Sequence, residues 1–197
     1  MSESPIHILA VVGALRQNSV TRTVVLHVAE RLAAAGCVVD VLDLLPEPLP
    51  LFNPDEGHAF DAFPALKSRV ERADVFLLGT PDYHGGISGA LKNFLNHFWH
   101  EFTGKLFAPL VASHEKGLTA TDQVRTVARQ CYAWAMPYSV TFREGEDVGP
   151  TGITGAPFQK RLEMFVRDVR VYGSLLARQR RADLAGVEPG FLARLRR

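Results

Sequence analysis

The chain has 197 residues, 47% of them hydrophobic and 22% charged, with a formal net charge of +1. A chain of this length buries on the order of 70% of its unfolded surface, so a core can hold it without disulfides or metals. Its two cysteines, Cys37 and Cys131, form no CxxC pair, which argues against a disulfide scaffold or a cysteine zinc site and fits a reducing compartment. Residues 1–5 (MSESP) lack the basic region of a signal peptide, and no run reaches the roughly 18 apolar residues of a membrane span. The expected location is cytoplasmic, with no membrane partner.

The neutral total hides an asymmetry. Residues 1–156 carry 12 Lys and Arg against 17 Asp and Glu, whereas residues 157–197 carry 10 against 4. A basic end can attract nucleic acid. This one holds a helical pattern without the interleaved aromatics that stack bases, so no nucleic-acid partner is expected. Residues 181–197 are read as a solvated or partner-facing basic tail behind a single domain over residues 1–180.

Residues 6–13 (IHILAVVG) are short, apolar and rich in branched side chains, as a buried strand requires. Helical spacing follows from about Thr21 to Ala35, and Gly36 supplies a stop. Residues 37–44 (CVVDVLDL) form a second predicted strand, and the proline-bearing stretch 46–54 leads away from it. A helix is predicted over 61–73 through Phe63, Leu66 and Val70, then a third strand over 74–80 (DVFLLGT). Leu91, Phe94, Leu95, Phe98 and Phe102 recur at three and four, which predicts a helix over 88–102 capped by Ser88. The fourth strand is 106–112. Thr119 and Asp122 approximate a capping box for a helix through Trp134. The fifth strand is 137–142, a glycine-rich loop runs to about Gly155, and the last helix starts near Pro157 and ends near Arg180.

Five apolar strands alternating with five helices predict an α/β parallel sheet covered on both faces. In such sheets ligands bind beyond the carboxyl ends of the strands, where strand order reverses. The first loop there, Gly13 to Thr21, is neither GxGxxG nor a Walker A sequence. It offers a guanidinium, two hydroxyls and backbone N–H groups at a helix start, a set suited to a phosphate monoester, although a plain polar connection with an N-cap would look similar. The third loop, from Thr80 to Asn93, places a proline, an aromatic and paired glycines directly after a strand. Those residues let the backbone approach a flat ring closely, with Tyr83 as an apolar wall.

Together the two loops resemble those of the NAD(P)H-dependent FMN reductase family of flavodoxin-like proteins, which includes quinone, azo-dye and chromate reductases. Gly13, Arg16 and Ser19 match the family's first loop, and Thr80, Pro81, Tyr83, Gly89, Leu91, Lys92 and Asn93 match its third. The resemblance runs in order and spacing from Ile6 to about Phe142. It implies a three-layer flavodoxin-like sandwich with strand order 2-1-3-4-5. It further implies an FMN-binding reductase domain in which Arg16, Ser19 and Thr21 hold the phosphate. Pro81, Asp82, Tyr83, His84 and Gly85 would lie along the isoalloxazine, with Ser113 and Lys116 of the fourth loop at its N1 and O2 side. The flavin then carries two electrons from NADPH or NADH to a second small-molecule acceptor such as a flavin, quinone, azo compound or metal oxyanion, and no catalytic side chain is needed. Ala14 replaces the usual Ser, Thr21 stands where Asn is common, His84 replaces an Asn and Asp82 a Glu. Lys92 and Asn93, on the first turns of a helix, are read as structural.

Two rival readings are a flavodoxin-like electron carrier without NAD(P)H oxidation of its own, and a relative that has lost its flavin. Carriers of that kind tend to be strongly acidic and to lack a loop arginine, so Arg16 and the +1 charge weigh against the first. His97 and His100 with Glu101 lack metal-site spacing, and no metal is expected. On their aromatic helix these histidines are expected at a subunit contact in a homodimer or homotetramer. Ser113-His114-Glu115 lists triad residue types, but adjacent residues cannot converge on one nucleophile.

Overall fold

In the computed structural model, which describes residues 4–57, 60–187 and 190–195, the first apolar run becomes strand β1 (His7–Val12). There follow α1 (Val20–Ala34), β2 (Val38–Asp43), α2 (Phe63–Arg72) and β3 (Val75–Tyr83). A short strand β4 (Gly86–Ile87) turns back on β3 and leads to α3 (Gly89–Asn96), a 3₁₀ turn (His100–Phe102) and β5 (Leu106–Ala112). The chain ends in α4 (Leu118–Gln130), β6 (Trp134–Ala135), β7 (Val140–Phe142), the hairpin β8 (Val148–Gly149) and β9 (Gly152–Ile153), α5 (Ala156–Ala185) and α6 (Phe191–Leu195).

The parallel strands take the order β2-β1-β3-β5-β6, with β7 further along the same edge of β5. Counted by position this is the expected 2-1-3-4-5. The fifth position is broken in two: Leu106 and Phe107 pair with Trp134 and Ala135, and Leu110–Ala112 pair with Val140–Phe142. The gap lies opposite Ala108 and Pro109, and both Pro109 and Pro137 lack the N–H that a ladder needs.

Alternate residues of β1 feed two cores, as the strand period requires. Ile8, Ala10 and Val12 pack with Val24, Val28 and Leu32 of α1 and with Phe158 and Phe165 of α5. Leu9 and Val11 pack on the other face with Leu66 of α2, Phe94 of α3 and Val124 of α4. The three-layer sandwich is thus the flavodoxin-like arrangement. Helix α1 lies directly on β3, because a Cβ at Gly79 would come within 2.2 Å of Val25 Cγ2. That contact sets the start of α1 at the carboxyl edge of the sheet.

Several predicted boundaries move. The 88–102 helix stops at Asn96; Trp99 takes φ −139° and ψ −78° and the 3₁₀ turn follows, which still delivers Phe98 and Phe102 to the core. Helix α4 is capped by the backbone of Gly117 at φ +60°, not by Thr119, while Asp122 accepts from Arg125 instead. It ends at Gln130, so Trp134 is strand and not helix. The stop is a Schellman motif: Tyr132 sits at φ +55°, with Ala133 N–H bonded to the Ala128 carbonyl at 2.8 Å and Tyr132 N–H to that of Arg129 at 3.2 Å. Helix α5 continues past Arg180 to Ala185, and α6 packs back, its Ala193 buried and Phe191 edge-on to Tyr132.

His97 also departs from expectation. It is 4% exposed, its Nε2 lies 3.1 Å from the Pro50 carbonyl, and its ring meets Phe52 and Phe60 edge-on. It therefore belongs to the chain's own interior and not to a subunit contact. Asn93 pins the same proline stretch, accepting from Phe52 N–H and donating to the Pro50 carbonyl. Cys37 and Cys131 are buried free thiols, and burial pushes that of Cys131 up to about 11.

Candidate functional site

The first loop is organised by a residue that the motif leaves out. Arg22, in the first turn of α1, donates Nη1 to the carbonyls of Arg16 and Gln17, both at 2.7 Å, and Nη2 to that of Ala14 at 3.1 Å. Its other edge grips Asp43 at the end of β2, with Nε to Oδ2 at 2.5 Å and Nη2 to Oδ1 at 3.1 Å. Burial alone would raise the Asp43 carboxyl, but the Arg22 bonds and the Leu45 N–H hold it below the ordinary carboxylate range. Five bonds from one guanidinium thus fold the loop over the start of α1.

Ser19 is the N-cap of α1, accepting from Arg22 N–H, and the helix has no acidic residue in its first turn. An anion placed there meets the positive end of the helix dipole. Arg16 stands at the rim, ion-paired with Glu144 from the β7–β8 connection. Thr21 is 1% exposed and turned inward, its Cγ2 facing Gly79. Arg16, Ser19, Thr23, Glu144, Val148 and Pro150 are among the residues around a cavity of about 680 Å³.

The third loop is a two-residue hairpin. Asp82 pairs with Ile87 and Tyr83 with Gly86, leaving His84 at φ +56° and Gly85 at φ +78° as the turn. Positive φ at both central positions is the type I′ geometry that fits the strand twist. Asp82 closes the turn by accepting from Gly85 N–H at 2.9 Å. Its other oxygen accepts from Ser113 Oγ at 2.9 Å, which ties the third loop to the fourth. The rim above carries Tyr83, 57% exposed, and an exposed His84.

Beneath the rim a buried chain of bonds joins the first loop to the third. Gly13 N–H donates to the Gly79 carbonyl at 2.8 Å, Ser88 Oγ donates to the Gly13 carbonyl at 2.5 Å, and Ser88 N–H donates to Thr80 Oγ at 2.9 Å. The same Ser88 hydroxyl caps α3 by accepting from Leu91 N–H. A Cβ at Gly13 would sit 2.7 Å from the Gly79 carbonyl oxygen and 2.8 Å from Leu91 Cβ, so only glycine lets the loop leave the sheet here. In the fourth loop Ser113 also accepts from Glu115 N–H, Arg143 holds the His114 carbonyl at 2.5 Å, and Lys116 is exposed.

The structure therefore gathers Pro81, Asp82, Tyr83, His84, Gly85 and Ser113 into one bonded rim, with Arg16 and Ser19 beside the start of α1. Thr21 lies beneath that start. Missed by the sequence reading are Arg22, Glu144 and the Thr80–Ser88 pair. Asp43, the last residue of β2, is the sequence signal from which a partner such as Arg22 could have been sought. Among the described residues no group of three or more His, Cys, Asp or Glu could hold a metal ion, and no helix is long and apolar enough to cross a membrane.

Residues 6–147 match the description "NADPH-dependent FMN reductase". The chain belongs to that family. An FMN-dependent NADPH-azoreductase of Staphylococcus aureus is 25% identical over 174 residues, spanning 82% of this chain and 92% of that one. Among solved structures, an NAD(P)H:(acceptor) oxidoreductase of Paracoccus denitrificans superposes with a TM-score of 0.71 at 22% identity, over 85% of this chain and 97% of that one. A flavodoxin from the domain Archaea gives 0.61 at 10% identity, over 85% and 99%, a likeness of fold alone. Family membership makes the protein an NAD(P)H-dependent oxidoreductase of the FMN reductase family. The loops joined by Gly13, Ser88 and Asp82 are the FMN reductase loops singled out in the sequence.

Proposed function

We propose that the protein binds FMN across these loops and passes two electrons from NADPH or NADH to a second small-molecule acceptor, the class including flavins, quinones, azo compounds and metal oxyanions. The observation that carries this is the start of α1: a helix of 15 residues capped by Ser19, free of acid in its first turn, and placed at the carboxyl edge beside Arg16. Such a site fits a phosphate monoester by charge, donor set and dipole. Arg22 N–H turns back to Ser19 Oγ, which leaves the N–H groups of Val20 and Thr21 to face an anion. Thr21 contributes through its backbone, and its side chain packs on Gly79.

When bound, the flavin supplies the hydride chemistry. The chain's own residues bind and orient. Pro81 to Gly85 form the edge against which a flat ring rests, the Asp82–Ser113 bond fixes the spacing of third and fourth loops, and Lys116 is placed in the fourth loop to offset negative charge at the ring. Exposed Trp99 and Trp134, at 54% and 49%, support a homodimer or homotetramer now that Phe94, Phe98 and Phe102 are accounted for by the chain's own core.

The test is spectroscopic. The purified protein is mixed with FMN, freed of excess, and titrated anaerobically with NADPH and with NADH. Retained flavin absorbance that bleaches with either nucleotide is the expected result. Retained flavin that neither nucleotide bleaches would make the protein an electron carrier, and absence of flavin binding would overturn the assignment altogether.

A further inference from the structure

The cation placed for a phosphate is already engaged by the protein. Arg16 Nη1 donates to Glu144 Oε2 at 2.9 Å and Nη2 to Oε1 at 3.3 Å, a two-pronged pairing across 128 positions of sequence. The second guanidinium of the loop, Arg22, is committed to Asp43 and three carbonyls. An incoming phosphate therefore finds no uncompensated arginine at this loop. Carboxylate and phosphate oxygens match the same guanidinium fork, so the two groups compete for it.

Glu144 is also delivered by the backbone around it. Its segment bridges to Val148, Gly145 N–H bonds to the Val148 carbonyl at 2.8 Å, and Asp147 N–H bonds to that of Arg143 at 3.0 Å. The turn has backbone bonds of its own, independent of the Arg16 side chain. Both partners are half exposed, at 62% and 47% for the side chains, so the pairing is one that a ligand can exchange. The phosphate of FMN carries about 1.5 to 2 negative charges at neutral pH, and with Glu144 in place it must either displace a carboxylate or lie beside one.

We propose that Glu144 tempers flavin specificity: it competes with the phosphate for Arg16, so that the preference of the site for FMN over riboflavin is smaller than the loop and the helix start alone would give. This rests on the reading that Arg16 faces the phosphate. Removing the carboxylate should tighten FMN about fivefold and leave riboflavin within about twofold, the scale expected when one charge is deleted near an exposed pair.

The experiment is a flavin-fluorescence quenching titration of the full chain with FMN and, separately, with riboflavin. It uses the wild type, Glu144→Gln, Glu144→Ala, Arg16→Ala and the Arg16→Ala/Glu144→Gln double variant, with thermal midpoints confirming that each is folded. Tighter FMN in both Glu144 variants, unchanged riboflavin, and loss of the gain in the double variant are the expected results. FMN affinity that is unchanged or weaker in Glu144→Gln, while Arg16→Ala weakens FMN, would overturn the competition and leave the phosphate placement standing. An Arg16→Ala variant that binds FMN as well as the wild type would instead overturn the placement itself.

Discussion

The two ends of the sheet treat charge in opposite ways. At the amino ends, Lys105 is 2% exposed and its ammonium donates to the last carbonyls of α2, those of Val70 and Glu71, at 2.7 and 2.8 Å. Asp74, 5% exposed, accepts from His7 N–H at 3.0 Å, where β3 and β1 begin side by side. These charges are consumed in joining elements. At the carboxyl ends Arg16 and Glu144 pair in the open, and a half-buried Asp82 bonds a buried Ser113 beside an exposed tyrosine and histidine. There the backbone is fixed by buried hydroxyls and glycines, and the charges stay within reach of a ligand. A shared scaffold thus separates the polar groups that hold the fold from those that can exchange partners, as expected of loops that carry function on a rigid sheet.

The largest effect that follows is at the amino end. Lys105→Ala leaves the Val70 and Glu71 carbonyls without their donor and empties the space of the stem beside Phe76, which should cost about 3 kcal/mol in urea unfolding. FMN affinity should not change, and a parallel loss of binding would erase the distinction between the ends. Burial, with Arg180 close by, lowers the Lys105 ammonium to about 7 from its ordinary 10.5. Between those values the unfolded chain binds the proton that the folded protein releases, so this group's contribution to stability rises with pH across the window and is flat below it. Urea midpoints from pH 6.5 to 9 should rise less steeply in Lys105→Met than in the wild type.

At the carboxyl end Gly13→Ala should act on both properties. Its Cβ would press on the Gly79 carbonyl and Leu91, forcing backbone apart where no flexible side chain can yield, at a cost of about 2 kcal/mol. The same shift moves the first loop off α1, so flavin affinity should fall along with the thermal midpoint. Lower stability with unchanged affinity would show that the loop's position does not depend on the Gly13–Gly79 contact.

These contrasts also explain which parts of the molecule the sequence revealed. Gly36 and Tyr132 terminate helices by the same Schellman geometry, with φ +88° and +55°. Only the first is legible, because glycine is the residue that adopts that backbone without cost. Tyr132 adopts it under tertiary restraint: its carbonyl accepts from Gly104 N–H at 2.8 Å and its ring meets Phe191. The strands were visible because each is a local apolar run, whereas their order, and the choice of Arg16, Ser19 and Pro81 to Gly85 as candidates, came from the resemblance of two loops to a known family. Arg22–Asp43, Asp82–Ser113 and Arg16–Glu144 were not visible, since each pair is made by segments that meet only after the sheet has formed, at separations of 21, 31 and 128 residues.

The smallest predicted effect compares the two non-glycine residues at positive φ among the described residues. Tyr132 is held by a carbonyl bond and a ring contact at the amino end, whereas His84, at φ +56°, is exposed at the tip of its hairpin. A left-handed residue with a Cβ costs about 1 kcal/mol, and asparagine bears that cost most easily because its side chain can bond the local backbone. His84→Asn should therefore raise stability by about 0.5 kcal/mol, and His84→Val should lower it by about 1 kcal/mol, since a branched Cβ resists the type I′ turn. Equilibrium urea unfolding of both variants checks the ordering. If Val is tolerated as well as Asn, the turn is held by the Asp82–Gly85 bond and the β3–β4 pairing, and the tip residue is free to vary with whatever substrate the rim receives.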